Sequence, residues 1–290
     1  MVLRPRKIIY EALKKPMKYW YPGTDVVREI LNTYRHRIRP GDIIVLSDKA
    51  LSVAYGSIYD EKVLHPDPFS KFMTYLISRI LWGKLMHYMF IEDTLNILVN
   101  TPLDILTSHK KLTLKVGGLK HFLKPLSEAG VDTTNLPYTY VSLPLKNINK
   151  IVNELHYELE KKLSMPINIL VVDSDKSFKP RGINNIALAT RPTKVKGLID
   201  LGALAYVIGR KFRKFFIEYP TPVAFKGVWL GLKTILKVAK IADNMRGHGL
   251  GRNIIEMLKN LGKERFDEIT WNDLRKVKHY PVVIVRIIKR

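Results

Sequence analysis

Three short apolar runs constrain the fold of this chain more than any other feature of the sequence. Residues 43–46, 167–172 and 281–288 are rich in isoleucine, valine and leucine. Such runs are typical of strands that are buried on both faces, and the last of them is expected to lie centrally in its sheet. A shorter run at residues 97–99 predicts a further strand on the same grounds.

Segments with helical character lie between these runs, at residues 24–34, 69–88, 147–163 and 230–244. The third is the clearest, because its apolar residues recur at helical spacing with lysine and glutamate between them. Strands and helices do not alternate strictly, so we predict a mixed α/β fold of the α+β type. The length of 290 residues suits two closely associated subdomains, residues 1–166 and 167–290, with a single domain as the alternative.

The charge balance indicates an anionic partner. Lys and Arg count 49 against 26 Asp and Glu, so the formal net charge is +23. An excess of this size attracts polyanions, and it suits either a nonspecific nucleic-acid binder or an enzyme whose substrates carry phosphates and carboxylates. The chain has no cysteine, which excludes a disulfide framework, a thiolate zinc site and a cysteine nucleophile. This composition fits a reducing or hot cell interior.

We expect a cytoplasmic protein with no membrane anchor. The first fifteen residues lack the apolar core and small-residue cleavage site of a signal peptide. The most apolar stretch, residues 72–91, is interrupted by Arg79, Lys84 and His87. A spanning helix needs about 20 largely uncharged residues, so we predict that this stretch is a buried helix or a subunit interface.

Two polar segments occur in the first half of the chain. Asp48 and Lys49 directly follow the first apolar run, where sites in α/β proteins usually lie, and Lys49 is suited to pair with a phosphate. A turn that leads into a helix is the alternative. Further along, Gly130 precedes Asp132 and Asn135, which offer a hard oxygen ligand beside an amide. A capped turn, with both side chains bonded to their own backbone, is the alternative there.

The third segment follows the second apolar run and is the most informative. Asp173, Ser174 and Asp175 come directly after four apolar residues, and cationic side chains follow at Lys176 and Arg181. Carboxylates beside hydroxyls suit Mg²⁺ or Mn²⁺, whereas the cations suit phosphate. A solvated charged loop is the alternative, but the position at a strand end favours a functional site.

The fourth segment is rich in glycine. Its candidate phosphate or substrate contacts are Arg246, Gly247, Gly249, Gly251 and Arg252. Glycines let the backbone approach a ligand closely, and the amides at the start of a following helix can bind an anion. The spacing is not that of a dinucleotide fingerprint, and a flexible loop is the alternative. No Walker A loop, zincin motif or nucleophile elbow occurs elsewhere in the sequence.

Taken in order, these segments resemble the coenzyme F-420-0:gamma-glutamyl ligase family. Asp48-Lys49 and the following residues 52–56 are similar to the family's strand followed by Ser-Lys-Ala-Glu-Gly. Residues 130–135 resemble its Ala-Gly-Val-Asp-x-Ser-Asn motif, and residues 172–174 resemble its Ser-Asp-Thr after a strand. Residues 199–202 and 281–286 also have counterparts. The resemblance covers roughly residues 21–286, and its specificity lies in the ordered set of short motifs.

The resemblance implies an enzyme, a GTP-dependent ligase that joins L-glutamate to a carboxylate of the deazaflavin coenzyme through an acyl phosphate. It implies Mg²⁺ or Mn²⁺ as cofactor, a homodimer, and GTP, L-glutamate and an anionic coenzyme acceptor as partners. The implied metal ligands are Asp132, Asp173, Ser174 and Glu264. The implied nucleotide contacts are Pro22, Gly23, Asp48, Lys49, Asn135 and Lys263.

The chain departs from the family pattern at two positions. Val53 stands where the family has a lysine and Tyr55 where it has a glutamate, which removes one phosphate partner. One alternative is therefore a nucleotide-dependent amide ligase that acts on a different carboxylate. A noncatalytic basic RNA-binding protein is the other alternative, because clusters of Lys and Arg bind the phosphates of nucleic acid without any catalytic site.

Overall fold

Buried apolar strands form the centre of the molecule. The computed structural model describes residues 8–89, 92–125, 129–251 and 254–289. The strands are β1 (Ile8–Lys14), β2 (Ile43–Ser47), β3 (Ile58–Asp60), β4 (Tyr140–Ser142), β5 (Asn168–Pro180), β6 (Ala187–Ala189), β7 (Leu198–Asp200), β8 (Phe216–Lys226) and β9 (Val282–Lys289). In the described part of the chain, seven of them form one sheet in the order β1-β9-β2-β5-β6-β7, with β8 paired to β5, and β3 pairs with β4 separately.

The apolar runs at residues 43–46, 167–172 and 281–288 form strands, as the sequence predicts. They form β2, the first half of β5, and β9, which lies between β1 and β2 and is therefore central. Strands β2 and β5 run parallel, whereas β9 is antiparallel to β2. In β2, Ile44 and Leu46 pack into the core on one face of the sheet, while Ile43 and Val45 pack into the core on the other. Burial on both faces explains why the run contains no polar residue.

Helices cover both faces of the sheet. They are α1 (Val26–Tyr34), α2 (Asp48–Ala54), α3 (Pro68–Tyr75), α4 (Glu92–Asn100), α5 (Leu103–Gly117), α6 (Leu119–Phe122), α7 (Ile148–Leu163), α8 (Ala203–Lys211), α9 (Leu232–Arg246), α10 (Ile254–Leu261) and α11 (Trp271–Arg275). Helices α1 and α7 contribute to the core on one face, and α9 to the core on the other. Each fully buried Ile, Leu or Val contributes about 1.5–3 kcal/mol to folding by leaving water.

Helix α7 follows its amphipathic pattern closely. Val152, Leu155 and Leu159 are buried, while the residues between them are mostly exposed. The helix ends at Ser164, whose backbone is left-handed with φ of 54°. Pro166 follows at once and cannot continue a helix.

The prediction of a strand at residues 97–99 is wrong, because these residues lie in α4. A run of three apolar residues is too short to separate a strand from a buried helix turn. Leu98 packs against Ile77, Trp82 and Phe122, which come from neighbouring helical segments. The helical surroundings therefore decide the conformation.

The predicted helix at residues 69–88 is present but changes character along its length. Helix α3 begins at Pro68 behind the N-cap Asp67, and the chain then continues as a π-helix over Leu76–Leu85. Phe72 and Leu85 are exposed, while Trp82 is buried. The predicted subunit interface at residues 72–91 stays a prediction, and residues 90 and 91 lie outside the described ranges.

Strands from both sides of residue 166 share one sheet, since β2 pairs with β5 along its full length. The mixed α/β class is confirmed, whereas the two-subdomain division and the homodimer stay predictions. Within the described residues, no helix combines the length and apolarity that a bilayer crossing requires.

Candidate functional site

The parallel pairing of strands β2 and β5 brings two of the predicted acids together. Ser47 is the last residue of β2 and pairs with Val172 in the parallel ladder. Asp48 follows Ser47 and Asp173 follows Val172, so both acids lie where this pairing ends. The predicted strand end at Asp173 is wrong, because β5 stays paired with β8 as far as Pro180. Asp48 is also the first residue of α2, where a carboxylate is stabilised by the helix dipole. Asp48 therefore follows a strand, as the predicted site requires, and also begins a helix, as in the alternative.

A buried arginine bridges these two acids. Nη1 of Arg191 donates to Oδ2 of Asp48 at 2.6 Å and also to the carboxylate of Asp173. The Arg191 side chain is only 1% exposed, and the side chains of Asp48 and Asp173 are 3% and 12% exposed. Two carboxylates therefore share one guanidinium as counter-charge away from bulk water.

The close approach of Arg191 depends on a glycine. The backbone of Gly130 has φ of +81°, and a Cβ added there would lie 2.5 Å from Cζ of Arg191. Any other residue would collide with the guanidinium. Gly130 is thus needed for its missing side chain as well as for its backbone conformation.

A third predicted acid, Asp132, joins the same network through Lys49. Nζ of Lys49 lies 2.6 Å from Oδ2 of Asp132 and donates to the backbone oxygen of Thr134 at 3.1 Å. Oδ1 of Asp132 accepts from the Thr134 amide at 2.8 Å and from the Thr134 hydroxyl at 2.9 Å. The turn capped by Asp132 is therefore present, through one oxygen only, whereas the Asn135 side chain bonds to Leu250 and not to its own backbone. Through Lys49 and Asp48, the loops that carry Asp132 and Asp173 converge.

The protonation of the acids reflects this burial. Burial raises the pKa of Asp48, partly offset by Arg191 and reinforced by the charge of Asp173. Burial acts in the same direction on Asp173, but Arg191 and Lys49 outweigh it and hold the pKa of Asp173 below its usual range. Asp173 is therefore the acid of this pair that stays ionised most readily.

A β-bulge shapes the third segment. The pairing of β5 with β8 shifts register between Asp173 and Lys176, which leaves Ser174 and Asp175 in the bulge. Ser174 is exposed, whereas Asp175 is 7% exposed and its Oδ2 lies 3.2 Å from Nζ of Lys124. Burial raises the pKa of Asp175 to about 7, even though Lys124 opposes the shift.

Two predicted cations of this segment have other contacts. Lys176 lies 3.6 Å from Glu218 on β8. Nε of Arg181 donates to the backbone oxygen of Lys214 at 2.9 Å, and the residue is exposed. Neither contact connects to the Arg191 network.

The glycine-rich segment packs against the Asn135 turn. Oδ1 of Asn135 accepts from the Leu250 amide at 2.8 Å, and a Cβ added at Gly249 would lie 2.9 Å from that same oxygen. Gly247 ends α9, and Gly251 donates its amide to the His248 carbonyl. Arg252 lies outside the described residues.

Arg246, the last residue of α9, is a partly buried cation with few partners. Its side chain is 13% exposed, and its nearest carboxylate oxygen is on Asp243 at 4.0 Å. In the described part of the chain, neither Nε nor Nη2 of Arg246 has a hydrogen-bond partner. Burial lowers the pKa of Arg246, and the nearby charges of Asp243 and Asp173 oppose that shift.

The predicted N-terminal nucleotide loop borders an aromatic cavity. A cavity of about 470 Å³ is lined by Tyr21, Pro22, Ile58, Tyr140, Trp271 and Arg275. Gly23 follows with φ of +87° and donates its amide to Ala54 at 2.9 Å. The Tyr19 ring contacts Tyr21, and its hydroxyl donates to the backbone oxygen of Asn135 at 2.5 Å. The cavity is therefore next to the Asn135 turn.

The implied nucleotide contact Lys263 and the implied metal ligand Glu264 lie between α10 and α11. Lys263 and Glu264 follow α10, where the Lys263 amide bonds to the Leu258 carbonyl. The charge of Lys263 acts on Asp273 in α11, and Glu264 is exposed. Among the described residues, no hydrogen bond or ion pair joins Glu264 to Asp132 or Asp173.

The side chains as placed do not fit the implied metal site. In the ranges that the structure describes, no three His, Cys, Asp or Glu side chains are grouped so as to hold a metal ion. Arg191 occupies the space between Asp48 and Asp173, and both oxygens of Asp132 are already bonded. The ligand set Asp132, Asp173, Ser174 and Glu264 stays a prediction.

Arg191 is the functional residue that sequence reasoning missed. It comes two residues after β6, a strand of only three residues, so no long apolar run marks the position. The same logic that selected Asp48 and Asp173, a charged residue just after a buried strand, applies to Arg191 as well. Lys124 was missed because it lies among helical segments and its partner Asp175 is 51 residues away.

Comparison with known proteins places this chain in a family. The family model for F420-0:Gamma-glutamyl ligase matches residues 16–212, which include Asp48, Asp132, Asp173 and Arg191. An uncharacterized protein, MJ1361, from Methanocaldococcus jannaschii is 30% identical over 272 residues, which cover 90% of each chain. The glycine-rich segment and Glu264 lie beyond the residues that the family model matches. The chain belongs to the F420-0:gamma-glutamyl ligase family.

Proposed function

We propose that this protein is a GTP-dependent amide ligase that adds L-glutamate to a carboxylate of an anionic acceptor such as coenzyme F-420-0. Family membership supports the ligase class. Lys49 and Arg191 beside the predicted acids, and Arg246 within electrostatic reach of Asp173, support substrates that carry phosphates and carboxylates. The net charge of +23 attracts the same molecules.

The observation that carries the proposal is the unsatisfied guanidinium of Arg246. It is 13% exposed, and its Nε and Nη2 have no hydrogen-bond partner among the described residues. A buried cation without full hydrogen bonding is costly, and a phosphate or carboxylate oxygen would satisfy it. Asp173 lies close enough to influence its pKa. We propose that Arg246 binds the transferred phosphoryl group or the acceptor carboxylate.

The proposed reaction has two steps. An oxygen of the acceptor carboxylate attacks the γ-phosphorus of GTP, and the bond between that phosphorus and the β-phosphate oxygen breaks, which releases GDP. The amine of L-glutamate then attacks the acyl carbon, loses a proton, and displaces inorganic phosphate. Catalysis of this kind rests on positioning and on charge stabilisation. Lys49, held by Asp132, and Arg246 are the residues proposed to supply that charge.

The nucleotide base is proposed to bind in the aromatic cavity. Tyr21, Tyr140 and Trp271 offer ring faces, and Arg275 lies over the Tyr21 ring at 5.3 Å from its centroid. A cavity of about 470 Å³ has the size of an ordinary small-molecule site. Mg²⁺ or Mn²⁺ is proposed as the counter-ion that arrives with the triphosphate, since Mg²⁺ commonly binds mainly to substrate phosphates and water.

Purified protein with GTP, Mn²⁺, L-glutamate and coenzyme F-420-0 tests the proposal. We expect GDP, phosphate and a product heavier by one glutamyl residue, all measured by mass spectrometry and a phosphate assay. Arg246→Met should lower kcat/KM at least tenfold, because a charge-assisted contact in a buried site is lost. Arg213→Met, which removes an exposed cation, is the matched control. Wild-type protein that releases no phosphate with any carboxylate acceptor would contradict ligase chemistry.

A different acceptor is the second candidate, and Val53 favours it. Val53 stands where the family has a lysine, is 1% exposed, and packs with Tyr19 and Leu250 in an apolar cluster. This position cannot contact a phosphate, so part of the family's substrate binding differs. Phosphate release that responds to other carboxylates but not to the deazaflavin coenzyme would support this candidate.

A further inference from the structure

We infer that Arg191 is a resident cation that takes the place of a protein-bound divalent metal between Asp48 and Asp173. The role of Arg191 in catalysis rests on the proposed function, whereas its role as the cation between the two acids does not. It predicts that the protein without nucleotide has no Mn²⁺ site that depends on Asp173.

The geometry of the bridge places a cation directly between the two acids. Nη1 of Arg191 bonds to Oδ2 of Asp48 at 2.6 Å and contacts Oδ2 of Asp173. Because one nitrogen reaches both, the two carboxylates cannot also close around an ion without expelling the guanidinium.

Arg191 has no room to move away from the two acids. It is 1% exposed, and Gly130 lies against its guanidinium, where a Cβ would be 2.5 Å from Cζ. Its Nε already has no hydrogen-bond partner among the described residues. Movement away from the acids would leave a buried cation with still fewer partners, which is unfavourable.

The local charge also disfavours a bound dication. Asp48, Asp132 and Asp173 carry up to three negative charges, and Arg191 and Lys49 supply two positive ones at short range. Asp175 has its own cation in Lys124 at 3.2 Å. The acids are thus largely neutralised by side chains, and a dication would add charge where little is left to attract it.

The origin of the cation strengthens the inference. Arg191 comes from the segment after β6, while Asp48 begins α2 and Asp173 lies within β5. One side chain therefore links three separate parts of the fold, as a structural metal ion does in other proteins. In this role Arg191 is a positioning residue that fixes Asp48 and Asp173 relative to each other.

Binding of Mn²⁺ to the nucleotide-free protein, measured by electron paramagnetic resonance of the free ion, tests the inference. Wild-type protein and Asp173→Asn should bind Mn²⁺ equally weakly. Arg191→Met should bind Mn²⁺ at least tenfold more tightly, because it frees two neighbouring carboxylates. The double variant Arg191→Met with Asp173→Asn should lose this gain, and Arg213→Met should behave as wild type.

Two outcomes would overturn the inference. One is wild-type Mn²⁺ binding that weakens tenfold in Asp173→Asn, since the metal would then displace Arg191. The other is a folded Arg191→Met variant that gains no Mn²⁺ affinity. If Arg191→Met does not fold, the comparison of wild type with Asp173→Asn or Asp48→Asn decides. The measurement needs no substrate, so an inactive ligase would contradict the proposed function and leave this result intact.

Discussion

The guanidinium of Arg191 lies 2.6 Å from the carboxylate of Asp48, and both side chains are almost fully buried. The same nitrogen contacts Asp173, so a single cation lies where the pairing of two parallel strands ends. This relationship defines the candidate site more than any individual sequence motif does. It also makes the site depend on a residue outside the four polar segments.

Removal of this cation should destabilise the protein strongly. Arg191→Ala leaves two buried carboxylates without a counter-charge, and loss of one partner of a buried pair costs about 3–5 kcal/mol. Urea unfolding followed by circular dichroism measures the change. Arg213→Ala, at an exposed position, should change the unfolding free energy by no more than about 0.5 kcal/mol. Equal effects of the two substitutions would contradict the bridging role.

Gly130→Ala should destabilise the protein through a collision as well as through backbone strain. Its Cβ would lie 2.5 Å from Cζ of Arg191, and its φ is +81°. Gly182 is a matched control, because its φ is +82° and a Cβ there meets nothing within 4 Å. Both variants incur the left-handed strain of about 1–3 kcal/mol, and Gly130→Ala should cost about 1–3 kcal/mol more through overpacking. Thermal unfolding of the two variants gives the difference directly.

Asp175 should make stability depend on pH between about 4 and 7. Burial raises its folded pKa to about 7 from an ordinary value of 3.8, against the pull of Lys124. The folded state therefore holds the proton more tightly than the unfolded state, and the contribution to stability is full below pH 4 and lost as the pH rises to 7. Asp175→Asn cannot lose that proton. The unfolding free energy of the variant relative to wild type should rise between pH 4 and 7 and then level off, whereas a constant difference would contradict the shift.

Replacement of Val53 and Tyr55 by the family's lysine and glutamate should change the unfolding free energy by different amounts. Val53 is 1% exposed in an apolar cluster, so Val53→Lys buries an unpaired ammonium and should cost at least about 2 kcal/mol. Tyr55 is 43% exposed, so Tyr55→Glu should stay within about 0.5 kcal/mol. Denaturant unfolding of both variants is the measurement. A stable Val53→Lys variant with improved GTP binding would show that the site accepts the family lysine after all.

The aromatic cavity should bind the nucleotide base if the proposed function holds. Trp271→Ala removes a stacking surface worth about 1–3 kcal/mol, which corresponds to a roughly 5- to 150-fold weaker Kd for GTP. Isothermal titration calorimetry measures this Kd. Trp229 is 45% exposed and lies between β8 and α9, so Trp229→Ala is the control and should leave the Kd unchanged.

The local pattern of the sequence determined much of the fold. The apolar runs predicted β2, β5 and β9, because burial on both faces demands an uninterrupted apolar stretch. Helix α7 followed from its spacing for a similar reason. The positions of Asp48 and Asp173 directly after their apolar runs could also be read from the sequence, although β5 continues past Asp173 to Pro180. The wrong strand at residues 97–99 shows where a local pattern is too short to decide.

Only the tertiary structure decided how these acids are neutralised. Arg191 is 143 residues from Asp48 in the chain, and Lys49 is 83 residues from Asp132, so no local spacing reports either pair. The order of strands in the sheet brings the loops together, and that order depends on packing across the whole core. The sequence could therefore indicate which acids share an edge, while the cation between them depended on the three-dimensional arrangement.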